Sequence, residues 1–428
     1  MSAPKPVPFT IQVPDERLDD LQRRLANIRW APEFGNDDWR YGTNGKYLRE
    51  LVAYWRDGYD WRAQEKAMNA HRQFRVEIEG IPIHFLQIEG KGRRTRPLLL
   101  THGWPWTFWD FQKVIGPLTD PAAHGGDPDD AFDVVVPSLP GFGFSTPLTT
   151  TGINWWRTAD LWATLMKDVL GHDRFCAHGG DWGALVTLQL GHRYPDRVHG
   201  VHITGLAPLE FFSGDRPWSI GGSLDTIARG TGEKQALLAW ERKFASHVAV
   251  QHLDPQTLAW AMQDSPMGLC AWILERRRSW ADTRGDVESR FSKDELLTTM
   301  MIYWLTDSFA SSVRYYAEAG RNPWKPDHAG QPVVTAPTGI TLFEPDMAPG
   351  DTAWTESYYN RVFLRVHEKG GHFAPAEEPA ILVTDIRDMF RTCCQAGTRA
   401  RGGSAGASSR LALGEILDSD PSGRDEPS

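Results

Sequence analysis

Short, almost wholly apolar segments recur along the chain, and longer stretches with helical spacing separate them. A strand with apolar side chains on both faces is buried on both faces, as in a parallel sheet that is covered by helices. The pattern therefore predicts an α/β fold with a mostly parallel central sheet. The candidate strands are residues 97–100, 132–136, 175–177, 198–203, 339–343 and 362–366.

The N-terminal residues 1–73 depart from this pattern and predict a small helical region. Pro14 and Asp15 are typical of a helix start, and a second helical stripe begins at Tyr47. Because neither helix can bury its apolar face alone, we expect this region to pack against a larger unit. The first stripe contains Leu18, Leu21, Leu25 and Ile28, and the second contains Tyr47, Leu48, Leu51, Tyr54 and Trp55.

The rest of the chain divides into four further segments. Alternating residues on both sides of Gly80 predict a hairpin at the start of a first core segment, 74–206. The strand pattern stops near residue 207 and resumes near 333, so we interpret 207–332 as a helical lid over the carboxyl ends of the strands. Residues 333–396 complete the core, and 397–428, rich in Gly, Ser and Asp, are predicted to be a tail.

Composition argues against several classes of function. The 428 residues carry 46 basic and 55 acidic side chains, so no basic excess favours a nucleic-acid partner. The histidines contain no HExxH pair and the four cysteines no CxxC pair, so we expect neither a metal nor another cofactor. With no apolar leader or spanning run and too few cysteines for a disulfide framework, we expect a cytoplasmic protein without a membrane anchor.

The sharpest local motif is Gly179-Gly180-Asp181-Trp182-Gly183, which lies between an apolar strand and a helical run. Small residues stand two positions before and two after the central residue. This arrangement is typical of a nucleophile elbow, a strained strand–turn–helix that presents its central side chain. The usual serine is replaced by Asp181. The simpler alternative is a glycine-rich turn with a capping aspartate.

An aspartate in this position indicates attack on a saturated carbon. A serine that attacked such a carbon would form an ether, which water does not readily cleave. A carboxylate forms an ester instead, and an activated water can hydrolyse that ester at its carbonyl. Asp181 therefore favours epoxides or alkyl halides as substrates.

The partners expected of such a nucleophile follow in chain order. His372 comes after the last candidate strand, beside Gly370 and Gly371, where a general base is expected. A carboxylate that orients the imidazole should follow an earlier strand, and both Glu344 and Asp346 fit that place.

A second loop supplies an expected oxyanion hole. Thr101-His102-Gly103-Trp104 follows the strand at 97–100, a position that contributes a backbone N–H group. The N–H groups of Trp104 and Trp182 would stabilise the tetrahedral intermediate formed on Asp181. We expect His102 to support this loop by hydrogen bonding and not to act as the base.

Taken together, these motifs resemble the microsomal-type epoxide hydrolases of the α/β-hydrolase superfamily, over nearly the whole chain up to about residue 395. The resemblance implies an α/β-hydrolase fold with an N-terminal meander, and it favours Asp346 as the charge-relay acid. The Phe343-Glu344-Pro345-Asp346 segment departs from the family pattern in its middle but keeps the acid at its fourth position. The matching segments are 54–55, 59–62, 102–105, 179–183, 264–269 and 370–373.

The resemblance also implies two lid tyrosines that donate hydrogen bonds to the epoxide oxygen. One matches Tyr316, and the position of the other is occupied by His247. A histidine can also donate a hydrogen bond, so we assign His247 as the second donor. The implied reaction converts a small apolar epoxide to a vicinal diol through a covalent ester on Asp181, without a cofactor.

Two other functions remain compatible with the motifs. A haloalkane dehalogenase shares the aspartate elbow, although it needs no lid tyrosine such as Tyr316. A non-catalytic ligand-binding protein could use the same fold, although Asp181, Asp346 and His372 are all present. Detoxification and secondary metabolism are both open as settings. The 19 tryptophans suit an apolar ligand site, and the aromatic-rich composition is compatible with a homodimer.

Overall fold

A nine-stranded sheet forms the centre of the computed structural model, which describes residues 4–212, 231–348 and 350–402. The first strands pair antiparallel up to the contact between β3 and β5, and all later neighbours are parallel. The order across the sheet is β1-β2-β3-β5-β4-β6-β7-β8-β9. The strands are β1 (Val7–Phe9), β2 (Gln73–Ile78), β3 (Ile81–Ile88), β4 (Arg96–Thr101), β5 (Phe132–Pro137), β6 (Phe175–Gly180), β7 (Val198–Thr204), β8 (Val334–Phe343) and β9 (Tyr359–His367).

The predicted mostly parallel sheet is confirmed, and the differences are one additional edge strand and the ends of some of the others. β1 was not predicted, because Pro6 and Pro8 conceal a short strand that pairs at the edge of the sheet. β8 begins five residues earlier than the pattern indicated. Its pairing with β9 is irregular between Val334 and Pro337, where proline cannot continue the hydrogen-bond ladder.

Helices cover the sheet and form the N-terminal and lid regions. They are α1 (Asp15–Ala26), α2 (Gly45–Asp57), α3 (Trp61–Asn69), α4 (Gln112–Thr119), α5 (Trp155–Thr164), α6 (Trp182–Arg193), α7 (Thr231–Phe244), α8 (Ser246–Leu253), α9 (Pro255–Asp264), α10 (Pro266–Trp280), α11 (Lys293–Leu305), α12 (Phe309–Arg321), α13 (Thr355–Tyr358), α14 (Ala374–Glu377) and α15 (Pro379–Gly402).

The N-terminal helices α1 and α2 lie where the apolar stripes predicted them. The prediction that Ile28 belongs to the first helix is wrong, because α1 ends at Ala26 and Asn27 caps it. Ile28 still packs, partly buried, against the core. The N-terminal region contacts lid helix α11, because the Tyr54 hydroxyl donates a 2.8 Å hydrogen bond to Asp294.

The predicted lid contains α7 to α12, and part of it, residues 213–230, lies outside the described residues. α15 continues to Gly402, so the first residues of the predicted tail are helical. The remaining 403–428 lie outside the described residues, and the domain boundaries stay a prediction. In the described part of the chain, no helix combines the length and the apolar character needed to cross a membrane.

Candidate active site

Asp181 occupies the turn between β6 and α6 in a strained backbone conformation. Its φ of 54° and ψ of −127° lie where a residue with a side chain is rarely found. The turn closes only around small neighbours, because a Cβ on Gly179 would lie 2.1 Å from the Gly183 oxygen. This local strain points the Asp181 carboxylate out of the carboxyl end of the sheet, as expected of a nucleophile elbow.

The two oxygens of the Asp181 carboxylate have different surroundings. Oδ1 accepts hydrogen bonds from the backbone N–H groups of Trp104, at 2.8 Å, and Trp182, at 2.7 Å. Oδ2 lies 3.2 Å from Nε2 of His372. The close approach of the Trp104 loop requires a glycine, since a Cβ on Gly103 would lie 2.3 Å from Oδ1. Two backbone amides therefore hold Oδ1, whereas Oδ2 lies against the imidazole of His372.

His372 lies between two carboxylates. Its Nδ1 is 3.2 Å from each carboxylate oxygen of Asp346, on the side opposite to Asp181. The other candidate acid, Glu344, is exposed to solvent. The structure therefore brings Asp346 to the imidazole, as the family resemblance implied.

The charges around His372 control its protonation. Burial by itself lowers the pKa of His372, but the negative charges of Asp346 and Asp181 outweigh this effect and raise the pKa to about 10. The imidazole is therefore a cation in the resting protein at neutral pH. The indole rings of Trp106 and Trp280 pack edge-on against it, with ring centroids 5.7 and 5.0 Å away.

The two candidate lid donors meet above Asp181. The hydroxyl oxygen of Tyr316 lies 3.1 Å from Nε2 of His247, and both side chains are buried. Burial raises the pKa of Tyr316 well above its usual value, and it lowers the pKa of His247 well below its own. Tyr316 is therefore a protonated donor and His247 a neutral imidazole. The His247 ring stacks on Trp104 at 5.1 Å with an interplanar angle of 11°.

Asp181 opens into a mainly apolar cavity of about 1050 Å³, a volume that includes its mouth. Its lining includes the buried side chains of Tyr316, His247 and Trp280 and the partly buried side chains of Trp240 and Met347. Such a lining suits a neutral, apolar ligand. In residues 4–212, 231–348 and 350–402, no group of three His, Cys, Asp or Glu side chains is arranged to hold a metal ion.

His102 forms hydrogen bonds around the loop that contains Trp104, as the sequence suggested. Its Nε2 accepts a hydrogen bond of 3.0 Å from the N–H of Leu139, and its Nδ1 lies 2.9 Å from the carbonyl oxygen of Gly103. Burial lowers the pKa of His102 to about 4, so the ring is neutral.

Sequence reasoning missed several groups around the base. The carbonyl oxygen of Trp280, at the end of α10, accepts a 3.2 Å hydrogen bond from the N–H of His372. The buried carboxylate of Glu377 accepts from the N–H groups of Phe373 and Asp282, both at 2.8 Å. These bonds join the loop that contains His372 to the lid. No local pattern marks them, because their partners are far apart in the chain.

Comparison with known proteins agrees with this geometry. Residues 6–111 match the family model described as epoxide hydrolase N terminus, and residues 96–379 match the model described as alpha/beta hydrolase fold. A protein of Stigmatella aurantiaca, whose name provisionally assigns it as an epoxide hydrolase, is 40% identical over 90% of this chain and 84% of its own length. This chain belongs to the epoxide hydrolase family.

Further members show how widely the family likeness extends. Epoxide hydrolase 1 of Sus scrofa is 34% identical to this chain. The match covers 90% of this chain and 88% of the Sus scrofa protein. The solved structure of Aspergillus niger epoxide hydrolase is 29% identical, with a TM-score of 0.74, and the match covers 91% of this chain and 96% of that one. The juvenile hormone epoxide hydrolase of the silkworm Bombyx mori also has a TM-score of 0.74, at 26% identity, over 92% of this chain and 96% of that one. The predicted family and the α/β-hydrolase fold are confirmed.

Proposed function

We propose that this protein hydrolyses apolar epoxides to vicinal diols through a covalent ester on Asp181. The observation that carries the proposal is the asymmetry of the Asp181 carboxylate. Two backbone amides hold Oδ1, whereas Oδ2 lies against His372, and Asp181 lines the apolar cavity. That arrangement prepares one oxygen for nucleophilic attack and the other for the negative charge of a tetrahedral intermediate.

In the first step, Oδ2 of Asp181 attacks an oxirane carbon, and the bond between that carbon and the ring oxygen breaks. The departing oxygen takes a proton from the Tyr316 hydroxyl, and His247 assists as the second donor. The cationic His372 then returns a proton to Tyr316 through water in the site. The products of this step are a hydroxyalkyl ester, a neutral His372 and a protonated Tyr316.

In the second step, neutral His372 takes a proton from a water molecule, which attacks the ester carbonyl carbon. The resulting negative charge develops on Oδ1, where Trp104 and Trp182 present their N–H groups. When the intermediate collapses, the bond from the carbonyl carbon to Oδ2 breaks and the departing oxygen takes the proton from His372. The regenerated Asp181 carboxyl group returns its own proton to His372, so the cycle consumes one water.

The two carboxylates around His372 give these steps their order. Ester formation removes the charge of Asp181, and Asp346 alone then supports the imidazolium. The pKa of His372 must therefore fall from about 10 when the ester forms. His372 becomes an effective base only after there is an ester to hydrolyse. Asp346 keeps the imidazole oriented in both states.

A single turnover in heavy-oxygen water tests the ester. Excess enzyme is mixed with styrene oxide, and the diol and the peptide that contains Asp181 are both analysed by mass spectrometry. We expect the heavy oxygen in Asp181 and none in the diol of this first turnover. Heavy oxygen in the diol, with an unlabelled Asp181, would show that water attacks the epoxide directly. An Asp181→Ala chain is the control and should form no diol.

A further inference from the structure

A buried cation lies where the lid meets the oxyanion-hole loop. Arg277, in the last turn of α10, has a side chain that is only 3% exposed. We propose that Arg277 is a positioning residue that fixes the backbone N–H of Trp104 for hydrolysis of the ester. The inference rests on the proposed covalent mechanism, and it adds a residue that contacts neither the substrate nor Asp181.

The first contact is with the oxyanion-hole loop itself. Nη2 of Arg277 donates a hydrogen bond of 3.0 Å to the carbonyl oxygen of Pro105. Pro105 directly follows Trp104, whose N–H group lies 2.8 Å from Oδ1 of Asp181. The hydrogen bond from Arg277 therefore restrains the backbone of this loop close to the peptide group that carries the Trp104 N–H.

The second contact holds the far end of the same loop. Nη1 of Arg277 forms a 2.7 Å ion pair with Oδ1 of Asp110, which is also buried. Oδ2 of Asp110 accepts a 2.7 Å hydrogen bond from the N–H of Thr107, which caps the short turn Phe108–Phe111. The planar guanidinium of Arg277 thus holds residue 105 directly and residue 107 through Asp110. Lysine has a single ammonium group and cannot reproduce this two-armed geometry.

The third contact joins this loop to the base. The guanidinium carbon of Arg277 lies 4.1 Å from the centre of the Phe373 ring, and Phe373 follows His372. Nη2 also donates a 3.3 Å hydrogen bond to the hydroxyl oxygen of Thr299 in α11. Arg277 therefore contacts the oxyanion-hole loop, the loop of the base and a second lid helix.

The charge on Oδ1 predicts whether ester formation or ester hydrolysis depends on the contacts of Arg277 with the Trp104 loop. Oδ1 shares a negative charge in the resting carboxylate, loses it in the ester and regains it in the tetrahedral intermediate. A misplaced Trp104 N–H therefore stabilises the resting carboxylate less. Because this carboxylate is the attacking group, its weaker stabilisation does not slow ester formation. The misplaced N–H also stabilises the intermediate less, which slows hydrolysis. Loss of the Arg277 contact should slow hydrolysis selectively.

A matched pair of variants separates this effect from folding. Arg277→Met alone would leave Asp110 buried without its partner, so the test uses Arg277→Met combined with Asp110→Asn. Asp110→Asn alone is the reference variant, because it removes the ion pair and keeps the hydrogen bond from Arg277 to Pro105. Its unfolding free energy is measured as well, since it leaves the buried Arg277 cation without this carboxylate. Arg278→Met controls for loss of a cation on α10, since Arg278 donates to Gly285 and stacks over Trp39.

Rapid mixing with styrene oxide, quenching and intact-protein mass spectrometry give the rates of ester formation and ester hydrolysis. We expect the double variant to hydrolyse its ester at least about tenfold more slowly than Asp110→Asn, with ester formation unchanged or faster. Equal hydrolysis rates in these two variants, or an equal loss in both half-reactions, would overturn the inference.

A second variant keeps the test decisive if the double variant does not fold. Arg277→Lys retains the buried charge next to Asp110, but a single ammonium cannot reproduce the planar fork to Asp110 and Pro105. We expect slower ester hydrolysis in this variant too, and an unchanged rate would contradict the inference. If no ester forms in the parent chain, the proposed mechanism fails. If the ester forms but these ratios do not change, only the role of Arg277 fails.

Discussion

Nε2 of His372 lies 3.2 Å from Oδ2 of Asp181, so the charge of the proposed nucleophile acts directly on the proposed base. Two carboxylates raise the pKa of the imidazole to about 10 against the effect of burial. A base that is fully protonated at neutral pH would be ineffective for hydrolysis. In the proposed mechanism, ester formation removes the charge of Asp181 and so lowers the pKa of His372 before hydrolysis. Four predictions test this proposal.

The first prediction concerns the Asp181→Asn chain, in which one of the two charges is absent. We expect the pKa of His372 to fall clearly below the parent value, as measured by NMR titration of its imidazole and assigned with His372→Gln. A raised pKa contributes stability that is fully present below pH 6.5 and is lost as the pH rises through about 10. The unfolding free energy of the parent should therefore fall by about 1–3 kcal/mol more than that of Asp181→Asn over this range. Equal losses in the two chains would exclude Asp181 as a cause of the shift.

The second prediction distinguishes the two acids near the base. Asp346→Asn should leave ester formation nearly unchanged and slow ester hydrolysis by about 10⁴-fold, because the imidazole loses the carboxylate that orients it. Glu344→Gln is the matched control and should keep the parent rates, since Glu344 is exposed. The measurement is the amount of covalent ester during turnover. Accumulation of the ester in Glu344→Gln and not in Asp346→Asn would reverse the assignment.

The third prediction concerns the donors above the nucleophile. Tyr316→Phe should slow ester formation by about 10²–10⁴-fold, as expected for loss of a general acid. His247→Phe should slow it less, and His247→Tyr should retain most of the rate, because a tyrosine hydroxyl can also donate. Tyr315→Phe is the control, since that buried hydroxyl is hydrogen bonded to Thr158, away from the cavity. An unchanged rate and pH profile in His247→Phe would exclude His247 as a donor.

The fourth prediction tests the close approach of the two loops. A Cβ on residue 103 would lie 2.3 Å from Oδ1 of Asp181 and 2.4 Å from its Cβ. Gly103→Ala should therefore displace the nucleophile and slow ester formation by about 10²-fold, while the protein stays folded. Gly232→Ala, at an open position in α7, should have no effect. Parent activity in Gly103→Ala would show that the two loops separate easily.

Much of the fold followed from local patterns. The apolar runs located the strands of the parallel core, since burial on both faces leaves a short uninterrupted apolar segment. The start of β8 and the strand at Val7–Phe9 were missed for a common reason. Prolines occur at both places, and whether such a segment pairs depends on the strand beside it.

The sequence by itself determined Asp181 as the candidate nucleophile, because an elbow is a local structure formed by adjacent glycines, a strand and a helix. Only the tertiary structure shows that Asp346, and not Glu344, lies against the imidazole of His372. Glu344 and Asp346 share a tight turn, and the rotation per residue in such a turn sends side chains two positions apart to different sides. The contacts of His247 with Tyr316 and of Arg277 with Pro105 join residues 69 and 172 positions apart. Their geometry is set by how the lid packs over the sheet, which no local spacing encodes.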